Sequence, residues 1–177
     1  MSVLVTTTHG PLPIELYLPA TPHTSENFLA LCASSYYTSV PIHRIIPGFL
    51  LQTGDGTLRT GKGGTAPENT ISGTYLPAEI SPALRHVRGS VCCVNVKGDP
   101  ERGTNQWYVC LGTQKALDGK DVVFGRVVGA GEEGTVGEET LRALEGVEVD
   151  KKGRPKGEVR VEAVKIRANP LADAQED

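Results

Sequence analysis

No apolar stretch in this chain runs far before a glycine, a proline or a polar pair cuts it. SVLVTTT (2–8) ends at His9-Gly10, and PLPIELYLP (11–19) follows; RIIPGFLLQT (44–53) turns on Pro47-Gly48; DVVFGRVV (121–128) emerges from the tight turn LDGK (117–120). Short runs rich in Val, Ile and Leu between turn residues read as strands. Twenty-one Gly and 12 Pro, with few aromatics, extend that pattern along the chain. VRGSVCCVNVKG (87–98) and NQWYVCLGT (105–113) add two strands, joined by the polar turn KGDPERGT (97–104). VRVEAVKIRA (159–168) adds the last, its alternation slipping at Ala163-Val164 as a bulge would make it. About eight strands are expected, enough to close into a barrel filled by side chains, which leaves function to the outer face and the loops.

Two segments break the strand pattern. In TPHTSENFLALCASSYY (21–37) Thr21 is a natural N-cap, Pro22 falls at the first helical position, and Phe28, Leu29, Leu31 and Cys32 form an apolar face. Glu138–Leu144 predicts a short second helix. Residues 54–74 form a long Gly- and Thr-rich loop, and such loops in compact domains are functional or mobile. There is no internal repeat or composition break. The expectation is therefore a mainly β, closed eight-stranded antiparallel barrel capped by two helices, one domain over 1–170 with a frayed tail at 171–177.

Charge and cysteine usage exclude several classes. With 18 basic and 21 acidic residues, net −3, no broad nucleic-acid footprint is expected. No apolar run of about 18 residues predicts a membrane span, and no signal-peptide pattern opens the chain. Cys32, Cys92, Cys93 and Cys110 lack metal-ligand spacing, so buried thiols in a reducing compartment are expected. On a strand, Cys92 and Cys93 point to opposite faces. GKGG (61–64) lacks the GxxxxGK[ST] pattern of a phosphate loop. His43 and His86 read as structural histidines. No metal and no cofactor is called for, and nothing requires an obligate dimer, so a monomer is expected.

The informative stretch is IHRIIPGFLLQTGD (42–55). An arginine beside so much apolar surface is either a solvated edge or a charge over a pocket. By alternation, Phe49 and Leu51 point one way and Leu50 and Gln52 the other, one pair to core and one to a groove. Tyr108 reads equally as core or pocket.

With ENFLALC (26–32), GKGG (61–64), NQWYV (105–109) and LDGKDVVFGRV (117–127) in order around it, this stretch resembles the cyclophilin family of peptidyl-prolyl cis-trans isomerases. ENFLALCASSYY and IRANP (166–170) look most like its peptidyl-prolyl isomerase-like 3 subgroup. The resemblance implies a proline-binding groove with Arg44 as the catalytic arginine. It implies Phe49, Leu50 and Gln52 at the pocket wall, Gly61 in the matching loop, and Asn95 offering its backbone to the substrate. Gln106, Tyr108 and Leu117 complete that surface. Val94 and Val96 stand where the family has small residues. Asp121 stands for a His or Tyr, and Ala116 for a Trp or His. The loops at 65–73 and 97–104 look longer than usual.

Rotation about an X-Pro bond crosses a barrier of about 20 kcal/mol. An acceleration of roughly a thousandfold needs only about 4 kcal/mol. The prolyl nitrogen regains a lone pair in the twisted state, and a guanidinium aimed at it contributes roughly 1.5–3 kcal/mol that the planar ground state lacks. The expected function is thus isomerisation of X-Pro bonds in peptides and folding chains. The alternative, motivated by Val94 and Val96, is a module that binds proline segments with little turnover. The subgroup resemblance further implies splicing-complex proteins as partners and a nuclear or cytoplasmic location. With Ala116, Val94 and Val96, weakened cyclosporin binding is expected.

Overall fold

A computed structural model describes residues 1–168, so the expected tail at 171–177 and IRANP beyond Ala168 lie outside the described residues. Eight strands form one antiparallel sheet: β1 (Ser2–Thr7), β2 (Gly10–Leu16), β3 (Arg44–Ile46), β4 (Leu50–Thr53), β5 (Ser90–Asn95), β6 (Gly103–Cys110), β7 (Val123–Val127) and β8 (Val161–Ala168). They lie in the order β3-β4-β6-β5-β7-β2-β1-β8. Two helices accompany them, α1 (Pro22–Ala33) and α2 (Val136–Glu145).

The expected closed barrel is realised as a curled sheet with two edges. β3 and β8 form no ladder with each other. Pro41 and Arg160, just ahead of these strands, share a single bridge, flanked by Ile42 N–H to Val159 O (2.9 Å) and Val161 N–H to Val40 O (2.8 Å). Pro41 has no N–H to extend that ladder. In β8 the register shifts occur opposite Ser2/Val3 and Thr6/Thr7, so Arg167 and Glu162 are skipped, Glu162 one position before the expected slip.

The sheet buries both faces over its central strands. Val3, Val5, Ile14, Ile45, Leu51, Val91, Cys93, Trp107 and Val109 point into the main core, which α1 closes with Phe28. The Phe28 ring meets Trp107 edge-on, with centroids 5.5 Å apart at 87°. Burying each large apolar side chain contributes about 1.5–3 kcal/mol. On the opposite face Leu50, Cys92, Tyr108, Cys110 and Val123 form a second apolar cluster. Cys92 and Cys93 accordingly belong to different clusters, and all four thiols are buried and free.

Thr21 precedes α1 as expected, but its side chain makes no capping bond. Its hydroxyl donates to Tyr17 O (2.9 Å) instead. The orphan amides of His23 and Thr24 donate to the carboxylate of Glu79 (2.8 and 3.0 Å), a cap supplied from far along the chain. In α2, Thr135 accepts from Glu138 N–H (3.3 Å), and Leu141 and Leu144 face the core.

Candidate functional site

The long loop after β4 is organised by one side chain. Asp55 is 1% exposed. Its Oδ1 accepts from the amides of Thr57 (3.2 Å) and Leu58 (2.8 Å). Its Oδ2 accepts from Thr60 (2.9 Å), Gly61 (2.8 Å) and Gly63 (2.9 Å). Burial works against the charge, but the amides of Gly63, Leu58, Thr60 and Gly61 together outweigh it and hold the carboxyl at about 2. Gly63 is required here, since a Cβ would run into Asp55 Oδ1. This part of the loop is therefore tied down rather than loose.

The carbonyls so placed hold a glutamine. Gln106 Nε2 donates to Gly61 O (2.9 Å) and Gly63 O (2.7 Å), while its Oε1 accepts from Gln52 Nε2 (2.8 Å). Gln52 stands directly across the β3–β4 ladder from Arg44. Gln106, expected on the groove surface, is only 1% exposed. It lies behind Gln52, because β6 is a central strand with every residue buried.

Arg44 is exposed at the start of β3, and its guanidinium makes no hydrogen bond or ion pair among the described residues. It borders a cavity of about 420 Å³ on the outer face of the sheet. Phe49, Leu50, Tyr108 and Leu117 supply the apolar part of the wall. Gln52, Val94, Asn95 and Asp121 supply the rest, joined by Gly98 and Lys120, which sequence reasoning missed. Nine of the expected positions thus meet at one cavity. Gly61, Gln106 and Val96 do not line it: the first two support it from behind, and Val96 begins the turn Val96–Gly98. Ala116 is exposed beside half-buried Leu117.

Phe49 and Leu50 both face this cavity, although alternation assigned them to opposite sides. Phe49 precedes β4 and closes the Pro47-Gly48 turn, its N–H donating to Ile46 O (2.9 Å), so the two-residue period starts only at Leu50. Leu51 then points to the main core.

The far wall is polar and locked. Tyr108 Oη donates to Asp121 Oδ2 (2.6 Å), and Asn95 Nδ2 donates to Asp121 Oδ1 (2.8 Å). Burial, with the Cys92 thiol and the Asp121 carboxylate close by, pushes the Tyr108 phenol far above its ordinary range, so it remains a donor. Behind it His86 stacks at 6.3 Å and places Nδ1 2.9 Å from Asp118 Oδ1. His43, next to Arg44, is held neutral, its imidazole lowered to about 4 by burial and by Arg154 and Arg44, against the opposing pull of Asp55. His86 is thus tied to Asp118 as a structural histidine would be, whereas His43 Nδ1 is buried without a hydrogen-bond partner. No group of three or more His, Cys, Asp or Glu able to hold a metal ion occurs among the described residues.

A curled eight-stranded antiparallel sheet with two helices thus carries, on its outer face, an apolar cavity bordered by an unpaired guanidinium. The family model of cyclophilin type peptidyl-prolyl cis-trans isomerase/CLD matches residues 2–166, and the chain belongs to that family. It is 44% identical over 172 residues to peptidyl-prolyl cis-trans isomerase-like 3 of Gibberella zeae, covering 97% of this chain and 99% of the relative. To the human protein of the same name it is 42% identical over 174 residues, covering 97% and 99%. A cyclophilin type peptidyl-prolyl cis-trans isomerase of Cryptosporidium parvum, solved in the presence of the dipeptide Ala-Pro, superposes with a TM-score of 0.83 at 34% identity, covering 96% of this chain and 100% of that one.

Proposed function

We propose that this chain catalyses cis-trans isomerisation of X-Pro bonds, with Arg44 as the catalytic group. The observation that carries the reading is Arg44 itself, a guanidinium without a partner among the described residues, bordering an apolar cavity. A proline ring seated against Phe49, Leu50, Tyr108 and Leu117 leaves its nitrogen facing that rim. As the amide twists, the nitrogen lone pair accepts from Arg44. That bond forms only in the transition state, so it accelerates the step. The apolar wall also disfavours the charge-separated planar amide. Gln52, fixed by Gln106, borders Arg44, and the backbone at Asn95 lies across the groove to align an extended chain.

Val94 supports a second reading, a proline-binding module with weak turnover, because its two extra methyls stand in the groove wall where an extended backbone runs. The test is cis/trans exchange of an Ala-Pro peptide, followed by NMR. Wild type is expected to accelerate exchange and Arg44→Ala to lose tenfold or more, about 1.4 kcal/mol or above. Binding without acceleration in the wild type would leave the module and remove the enzyme.

Proline-containing segments of proteins, splicing-complex components among them, are the partners this reading proposes, met in the nucleus or cytoplasm. The exposed Ala116 and the bulk of Val94 go with weakened cyclosporin binding. Nanomolar affinity by calorimetry would contradict that.

A further inference from the structure

A second concave site lies on the other side of Arg44's strand, along the seam where the sheet edges meet. The cavity, about 480 Å³, is within the range of ordinary ligand sites. Arg59, Arg154 and Arg160 line it together with Ser39, His43 and Thr60. In a chain of net charge −3, three guanidinium groups around one hollow are a strong local concentration. Arg160 is paired with Glu158, the one carboxylate on the wall, and lies 3.9 Å from Glu162. Arg59 and Arg154 have no carboxylate partner among the described residues; Arg154 only donates to Thr60 O (3.3 Å). The nearby acids are already committed. Asp150 accepts from the amides of Lys152 and Arg154 (2.8 and 3.0 Å), and Asp55 is buried under its own loop. Lys151 and Lys152 are exposed on the same turn.

Two further features mark the hollow. Arg59 and Ser39 both hold left-handed backbone, with φ of 62° each, a conformation that costs a non-glycine residue energy and that collects at ligand sites. His43 Nδ1 is buried without a partner.

The hollow and the proline groove share a thin wall. His43 lines the one and Arg44, the next residue, the other. Thr60 lines the hollow, and Gly61 beside it anchors Gln106 behind the groove. Arg154 lines the hollow, and Gly153 packs against Arg44, where a Cβ would come within 3.6 Å of Arg44 Cγ. An extended peptide advances about 3.3 Å per residue. Offsets of two to four residues therefore carry a side chain about 7–13 Å along the chain from the proline.

We propose that this hollow is an accessory anion subsite, in which Arg59 and Arg154 receive a phosphorylated or carboxylate side chain two to four residues from the proline held in the groove. The proposal rests on the proline-binding reading above and narrows its substrate class to acidic or phosphorylated proline segments. Arginine suits the role because its fork bonds phosphate and carboxylate oxygens in pairs.

The test uses fluorescent Ala-Pro peptides carrying phosphoserine, Glu or Ser at offsets of two, three or four on either side of the proline. Binding is read at two salt concentrations against wild type and the double variant Arg59→Gln/Arg154→Gln. Expected is fivefold or greater tightening by phosphoserine over Ser at an offset on one side, less by Glu, weakened by salt and abolished in the double variant. The Ser peptide should bind both proteins equally, which shows that the groove is intact and that the exposed substitutions have not unfolded the chain. Equal affinity of charged and uncharged peptides at every offset, or a gain that survives in the double variant, would overturn the subsite. Failure of the Ser peptide to bind wild type would instead remove the underlying reading.

Discussion

Replacing Asp55 with Asn keeps the shape of the side chain and removes its charge. Asp55 presents two oxygens to five amides, two on Oδ1 and three on Oδ2. Asparagine turns one of those oxygens into a donor, so at least two of these largely enclosed N–H groups lose their acceptor, at about 1–2 kcal/mol each. The lowered carboxyl value implies a similar size: held at about 2 instead of 3.8, it contributes about 2 kcal/mol at neutral pH. Asp55→Asn is therefore expected to lose about 2–4 kcal/mol in urea unfolding at pH 7. The wild-type contribution is fully present above the unfolded value near 4 and disappears as pH falls through about 2, so the two proteins should converge in acid. Amide exchange should rise first at Gly61 and Gly63. The proposed acceleration of X-Pro cis/trans exchange should fall with it, because those residues' carbonyls fix Gln106 and through it Gln52 opposite Arg44. A loss below 1 kcal/mol at pH 7, with Gly61 and Gly63 still protected, would refute the idea that one carboxylate organises this loop.

Glu138 provides an independent acid-sensitive step. The Arg88 guanidinium, helped by the Gly131 amide and Arg142, outweighs burial and holds it at about 2 instead of 4.5. Glu138→Gln should cost about 3 kcal/mol at pH 7 and little near pH 2, by denaturation at both pH values. Val94→Ala opens the groove wall, and kcat/KM for Ala-Pro peptides should rise several-fold; an unchanged or lower value would show that Val94 does not obstruct the peptide. Burial raises Cys32 and Cys93 to about 12 and Cys92 well above its ordinary value. All four thiols should resist a disulfide reagent in the native protein and react at once in denaturant, and rapid native labelling would contradict their burial.

Much of the architecture is written in local pattern. Short alternating runs between Gly and Pro turns specify eight strands, the Pro22 start and apolar spacing specify α1, and Cys92-Cys93 must straddle a strand. The ordered order of motifs around Arg44 also named the family, which no single motif does. Other features are set by partners distant in sequence. Glu79 caps α1 in place of Thr21, and Asp121 binds both Tyr108 and Asn95. The sheet order makes β6 central, which turns Gln106 from a surface residue into a buried support.

Sequence by itself determined which residues alternate, where the chain turns, and that an arginine adjoins apolar residues, because those follow from backbone periods of two and 3.6 and from turn stereochemistry. Only the tertiary structure decided which face of β4 is core and which is groove. It alone left the sheet edges β3 and β8 joined by no more than the bridge at Pro41–Arg160, and it gathered Arg59, Arg154 and Arg160 around one hollow. Alternation fixes relative sides but carries no sign; the sign comes from what packs against each face, and that depends on strands and loops far away in the chain.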